Sequence, residues 1–501
     1  MHGVVCRALR CAGLIVVLAG SLVGPAFARP AASPAGDVDA ARFAELRERL
    51  ARQEERLCEL ERQAAAADAQ EIDGQRVAAL REQVRAVLAE PGFRESLGAT
   101  ALQAGYEKGY FIRSSDERFL LRAQGVLQFR YEYYNTHSRN RYLAAGTERD
   151  DRSGFDLSRV RLILSGHAHS PDLTYYVQVR ADSTQRYDAG VLDAYVNYRF
   201  ADAFQVRMGI FKAAATTVSL TSDSELQTVD RPLVDAVYGL DRGLGLRFWG
   251  HWQDKRFEWY FDALNSLRTV RGRTITPDPS ELDANPAIVA RLVWNALGSG
   301  ADLAGEPDLA HLAEPTLSLA LHYAFNEDDG DPTGLRIPAP LLIRSRGAGA
   351  FGMVSSRGLQ INQLGLASAF KWQGFSARGE YILRLIDVRD PAAPWLAQTG
   401  DDSTTAQHGA YVQAGYFLPI PEFQRKVEVV GRVGVVSALA EEVDCALEYT
   451  FGLNYYINGH KVKLQTEVTH VTEAPISSAS AGVATVNDQA WFWRMQVQLA
   501  F

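Results

Sequence analysis

The side chains best suited to chemistry in this chain are arginines on the polar side of alternating apolar–polar segments. Arg122, Arg130, Arg159, Arg161, Arg180, Arg207 and Arg247 all fall there, with Arg378 and Arg384 as further members. A guanidinium is a permanent cation with a rigid fork of donors, which suits phosphate oxygens in particular. A ring or ladder of such groups along a wet passage favours anions. Lys212 and Arg231 add two cations near the ends of KAAATTVSLTSDSELQTVDRPLVDAVYGLD (212–241), a stretch long enough to fold into a passage. The competing role for any one arginine is an ion pair with Glu132, Asp182, Asp193, Glu258 or Glu380 on a neighbouring segment.

Other chemistries have weaker footing. There is no G-x-S-x-G nucleophile elbow and no H-E-x-x-H zinc motif. His167 and His169 form an H-x-H at a segment end, better read as interfacial side chains than as metal ligands. NEDDGDPTG (326–334) lacks the spacing of a calcium-binding EF-hand loop and reads as a solvated loop. No catalytic residue, metal site or cofactor is expected.

These arginines need a scaffold with period 2. From about Tyr106 the chain supplies one. RFLLRAQGVLQFRYEYY puts Phe119, Leu121, Leu127, Phe129, Tyr131 and Tyr133 on one face and mainly Arg, Gln and Glu on the other. LTYYVQVRAD and KVKLQTEVTH repeat the pattern, and about 16 such segments are expected, an even number as in bacterial single-chain barrels. Alternation alone also fits a β-sandwich. Three features favour an all-β, 16-stranded antiparallel transmembrane barrel over residues 106–501. Many segments reach the roughly ten residues that a tilted spanning strand needs. Tight connections (169–172, 201–203, 253–255, 373–374 and 458–459) alternate with long polar ones (135–154, 212–241, 265–286, 326–358, 386–407 and 472–488). The polar face is too charged for a sheet packed on a core. Three stretches fit less well: the connection 295–315 is long where a short one is due, and 242–251 and 359–372 alternate weakly.

The N-terminal quarter differs. Arg7 and Arg10 precede an apolar stretch that ends at small residues Ala26 and Ala28, the layout of a secretory signal peptide over 1–28. The alternative, a signal anchor, is disfavoured because the run is short for a spanning helix. Removing 1–28 takes away two arginines and no acids, so the formal charge moves from −8 to −10. An exported acidic chain is a poor partner for nucleic acid. Cys6 and Cys11 leave with the leader; Cys58 and Cys445 sit in unlike segments and are read as unpaired. A Pro/Ala linker (29–40) leads to a heptad pattern at Phe43, Leu46, Leu50, Gln53, Leu57 and Leu60, which predicts a short periplasmic coiled coil over 41–90 and hence an oligomer.

The last residues, WFWRMQVQLAF, alternate to the end. Ten steps of roughly 3.3 Å, tilted, span about 25 Å, the height of an outer-membrane apolar band. Trp491 and Trp493 would lie in one aromatic girdle, Leu499 and Phe501 at the other end, and the strand must pair with the first one near 118–134. A terminal Phe on such a strand also resembles the signal read by the barrel-assembly machinery.

GYFIRSSDERFLLRAQGVLQFRYEYY, FDLSRVRLILSGHAHSPDLTYYVQVRAD, LDAYVNYRFADAFQVRMGIFK and the final strands together resemble the phosphate-selective porin O and P family, over about Gly105 to Phe501. The resemblance implies a trimeric barrel in the outer-membrane lipid that lets phosphate or related small anions diffuse past an arginine ladder to a basic constriction. Arg159 and Arg161 match best. The chain departs from the family in the third long connection, where lysines are expected but Asp223, Glu225 and Asp230 stand beside the lone Lys212. A non-selective porin, a coil-tethered structural barrel and, least favoured, a barrel-embedded hydrolase are the alternatives.

Overall fold

The computed structural model describes residues 102–136, 152–181, 189–265, 286–303, 305–328, 359–388, 404–423, 425–438, 446–472 and 490–501. The expected leader, linker and coil, Asp182, Cys58 and Cys445 lie outside these residues.

A short hairpin, β1 (Leu102–Tyr106) and β2 (Tyr110–Ser114), comes first. Sixteen longer strands follow: β3 (Leu120–Thr136), β4 (Arg152–Ala168), β5 (Ser170–Arg180), β6 (Gly190–Ala201), β7 (Phe204–Lys212), β8 (Arg242–Trp252), β9 (Phe257–Leu264), β10 (Ala287–Leu297), β11 (Thr316–Asp328), β12 (Leu359–Trp372), β13 (Phe375–Val388), β14 (Thr404–Phe417), β15 (Val427–Ala438), β16 (Ala446–Asn458), β17 (Val462–Val471) and β18 (Ala490–Ala500). Each is antiparallel to the next, and β18 pairs with β3 from Ala490↔Thr136 to Ala500↔Val126. That pairing closes a 16-stranded barrel, as the alternation predicts. β2 adds only to the first residues of β3, so the hairpin extends the wall at one end.

The period-2 pattern becomes an inside and an outside. Phe129, Phe155, Phe200, Met208, Val412 and Phe451 point outward and are exposed, while polar side chains at alternate positions turn in. Backbone groups in a bilayer must be bonded within the protein, and closure meets that need without an edge strand. No helix among the described residues is long and apolar enough to cross a membrane; the strands do so. Short turns gather at one end. At Gln373 and Gly374 φ is 50° and 82°, the left-handed pair of a two-residue hairpin turn.

The three poorly fitting stretches have physical explanations. In β8 and β12 the inward positions include glycine and alanine because other groups lie over them: the His322 ring covers Gly365 and the Leu264 side chain lies against Gly243. The long 298–315 connection is at the short-turn end as expected, but it turns into the barrel, where Glu306 and Asp308 are buried.

Candidate functional site

The lumen is shaped by the stretch 213–241. It leaves β7, and the Ala213 N–H donates to Asp241 O (2.9 Å), so both ends of the stretch share one root. Thr216 caps a single helical turn, α1 (Thr217–Leu220), by accepting from the Ser219 N–H. A 3-10 turn spans Asp223–Glu225, and α2 (Leu233–Tyr238) completes the stretch. Apolar side chains anchor it. Val218, Leu233, Val234, Val237 and Tyr238 pack on Ile382, Tyr411, Val436, Val471 and Phe492 of the wall. At the root, Ala213, Ala215 and Leu240 pack with Phe211, Leu264 and Val289. The wall is therefore apolar inside where these side chains lie on it, which strict polar-in alternation does not anticipate.

Polar contacts fix the rest of its path. The Gln227 side chain donates to Ser376 Oγ (2.7 Å), Val229 N–H to Glu467 (2.8 Å), and Leu233 N–H to Glu448 (2.8 Å). Tyr238 Oη donates to the carbonyls of His408 (2.8 Å) and Ser437 (3.1 Å). Lys463 and Asn454 donate to the carbonyls of Leu226 and Gln227, both at 2.7 Å. The second inserted stretch meets the tip of the first. Glu306 N–H donates to Glu225 O (3.1 Å), its carboxylate accepts from Gln227 N–H (2.8 Å), and it pairs with Arg378 at 3.2 Å.

The arginines divide into two groups. Arg130 and Arg159 are buried and converge on Asp230, each at 2.9 Å, and Arg494 joins them at 3.3 Å. Arg130 also holds Glu132 at 2.7 Å. Arg159 and Arg161 lie near Asp223, at 3.5 and 3.7 Å. Burial alone would raise the Asp230 pKa, but the guanidiniums of Arg130, Arg494 and Arg159 outweigh it and hold it at about 2. For Asp223 burial is likewise outweighed, by Arg231, Arg159 and Lys212, and the carboxyl is held well below the usual range. Arg231 is turned back onto its own stretch: it donates to the carbonyls of Val218 and Thr221 and pairs with Asp223. Lys212 donates to Ser219 O at 2.6 Å. Arg247 makes a two-point pair with Asp262, at 2.6 and 2.8 Å. Of the partners anticipated from sequence, Glu132 is used by Arg130 and Asp193 by Arg242 (3.0 Å). Most of the others, Asp223, Asp230, Asp262 and Glu306, come from elsewhere.

Arg122, Arg161, Arg180 and Arg207 are instead partly exposed on the inner face of β3–β7. Arg161 and Arg180 are register partners across β4 and β5. This reflects an asymmetry of the whole lumen. Inward side chains of β10 to β18, such as Arg291, His322, Gln363, Arg432, Gln465 and Gln498, are buried beneath the two inserted stretches. On β4 to β9 some inward side chains, among them Arg159, Asp193, Arg247 and Asp262, are buried as well, but Tyr176, Gln178, Tyr195, Trp249, Glu258 and Tyr260 are partly exposed. Among the described residues, the wetted wall is the β4–β9 side.

Sequence reasoning did not single out Arg242, Arg291, Arg432, Arg494, Lys371 or Lys463, although the same alternation marks all of them as inward. It also missed the wall aromatics, whose type alone suggests an outward lipid face. His167 and His169 do not act together: His167 Nε2 lies 2.8 Å from Glu117 O, and His169 meets the Phe119 ring edge-on. The described residues contain no cluster of metal-ligating side chains.

Residues 133–276 match the family model described as Phosphate-selective porin O and P. No curated protein matches the chain. Among solved structures, an anion-selective porin from Comamonas acidovorans is similar with TM-score 0.50 and 13% identity, covering 76% of this chain and 99% of that one. Outer-membrane-expressed OmpT of Vibrio cholerae has TM-score 0.46 and 9% identity over 77% and 98%. OmpF of Salmonella typhi, in complex with daunomycin, has TM-score 0.46 and 11% identity over 80% and 100%. At 13% identity the first likeness is one of fold alone.

Proposed function

We propose that this chain, an outer-membrane porin whose residues 133–276 match the model of the phosphate-selective porin O and P family, passes small anions by diffusion along its β4–β9 wall. The observation that carries this reading is the excess of cations on the wetted wall: Arg122, Arg161, Arg180 and Arg207 face the interior and are partly exposed, against Asp156 and Glu258 on the wall and Asp223 beside Arg161. Cations lining a narrow aqueous path lower the barrier for anions. No proton transfer or bond chemistry is needed; the protein supplies a closed wall, a restricted cross-section and a field.

Strong phosphate selectivity has less support. Asp223 and Asp230 stand among Arg130, Arg159, Arg161, Arg231 and Arg494, where a phosphate would otherwise sit. Those carboxylates favour a second reading, a porin with little charge preference. We further propose that the barrels trimerise, as the family resemblance implies, and that residues 41–90 form a coil on the periplasmic side.

The deciding test is the reversal potential of the purified protein in a planar bilayer under a KCl gradient, with phosphate added as a blocker. Anion preference is expected, with phosphate block weak. Cation preference would refute the anion reading, and strong phosphate block would restore the phosphate-selective one.

A further inference from the structure

Five planar side chains form a continuous stack around the wetted wall, one from each strand of β5 to β9. Tyr176 stacks on Tyr195 with centroids 5.2 Å apart and planes 11° apart. The Arg207 guanidinium lies over the Tyr195 ring at 4.1 Å and within 5.6 Å of the Trp249 centroid. Trp249 stacks on Tyr260 at 5.9 Å and 3°. The rings' polar edges are already engaged: Tyr176 Oη donates to Gln178 (3.1 Å), Trp249 Nε1 to Asn197 (2.8 Å), and Tyr260 Oη to Glu258 (2.7 Å).

Arg207 differs from most arginines of the barrel's middle. Arg130, Arg159, Arg247, Arg378 and Arg432 each have a carboxylate partner. Among the described residues no carboxylate lies within ion-pair distance of Arg207, and its Nε is buried without a hydrogen-bond partner. Aromatic faces hold the guanidinium by cation–π attraction, which fixes its plane but leaves its N–H edge unspent. A rigid fork presented in this way matches a carboxylate, which is planar and accepts two parallel N–H bonds. A tetrahedral phosphate gains nothing from the flanking rings, whereas a planar group attached to a carboxylate extends the stack of side chains.

We propose that Arg207, clamped between Tyr195 and Trp249, is a docking residue that makes the pore prefer small planar organic carboxylates, aromatic ones above all, over inorganic phosphate. This rests on the anion-porin reading and deepens it.

The test compares block of single-channel current by benzoate and by inorganic phosphate, with the reversal potential in KCl measured on the same channels. Wild type is expected to be blocked by benzoate at concentrations at least about tenfold below phosphate. Arg207→Lys keeps the charge but loses the fork, so benzoate block should weaken about tenfold. Trp249→Leu keeps Arg207 and removes one side of the clamp; it should weaken benzoate block and leave phosphate block unchanged. Anion preference in KCl with benzoate no better a blocker than phosphate would overturn this assignment alone. So would Arg207→Lys or Trp249→Leu channels that bind benzoate as wild type does. Cation preference in KCl would overturn the anion reading beneath it.

Discussion

Asp230 is the residue on which the lumen's charge balance turns. It is 1% exposed and accepts from Arg130 and Arg159, with Arg494 beside it. Removing one partner from a buried ionic cluster costs roughly 3–5 kcal/mol because the other charges are left uncompensated. Asp230→Asn should therefore loosen the 213–241 stretch and shift the KCl reversal potential towards stronger anion preference. The pH dependence has a definite sign. The folded carboxyl is held at about 2, below an unfolded value near 3.9. Its contribution is complete above about pH 4 and is lost as pH falls towards 2. Wild-type channels should thus become more anion-preferring between pH 4 and 2, whereas Asp230→Asn should already be shifted and respond less over that window. An unchanged reversal potential in the variant at neutral pH would remove Asp230 from this role. The sequence placed Arg130 and Arg159 on the polar face by alternation alone. It could not reveal their partner, since Asp230 is about a hundred residues from Arg130 and arrives only when an outer connection folds inward.

Elements were more legible than their contents. A strand's inward and outward faces follow from period 2, so β3, β5, β17 and β18 could be read directly, including the closing pair. β8 and β12 were blurred because their inward positions answer to the inserted stretches rather than to water. The closing strand shows how local the controlling contacts can be. Phe501 exchanges both backbone hydrogen bonds with Gly125, at 2.9 and 3.0 Å. Its ring occupies the space a Cβ on Gly125 would need, and the Tyr110 ring meets it edge-on at 6.3 Å. A side chain at position 125 would push the ring away. Deleting Phe501 removes these contacts from the seam but nothing from the pore. The deletion should lower the yield of heat-modifiable, folded barrel on gels several-fold, while the channels that still form keep wild-type conductance. Normal assembly, or an altered conductance, would contradict this division between seam and lumen.

At the scale of the whole molecule, a wide barrel is narrowed from both ends by chain that packs on one side. The outer stretch, 213–241, lies across β12–β18 and β3, and the periplasmic stretch holds its tip through Glu306. On the function proposed above, passage is left to the opposite wall, with its arginines and stacked rings. Barrel closure and the direction of the strands were readable from turn lengths and alternation. The one-sided filling was not, because it depends on which connection packs on which wall, and no local pattern encodes that. The most direct test is cysteine accessibility in a Cys58→Ser, Cys445→Ser background. Gln178→Cys lies on the partly exposed β5 wall, and Thr450→Cys on β16 is 4% exposed beneath the inserted stretches. An anionic methanethiosulfonate reagent should lower single-channel conductance in the Gln178→Cys protein and leave Thr450→Cys unaffected. Block at position 450 with none at 178 would place the conducting path on the other wall and contradict the account.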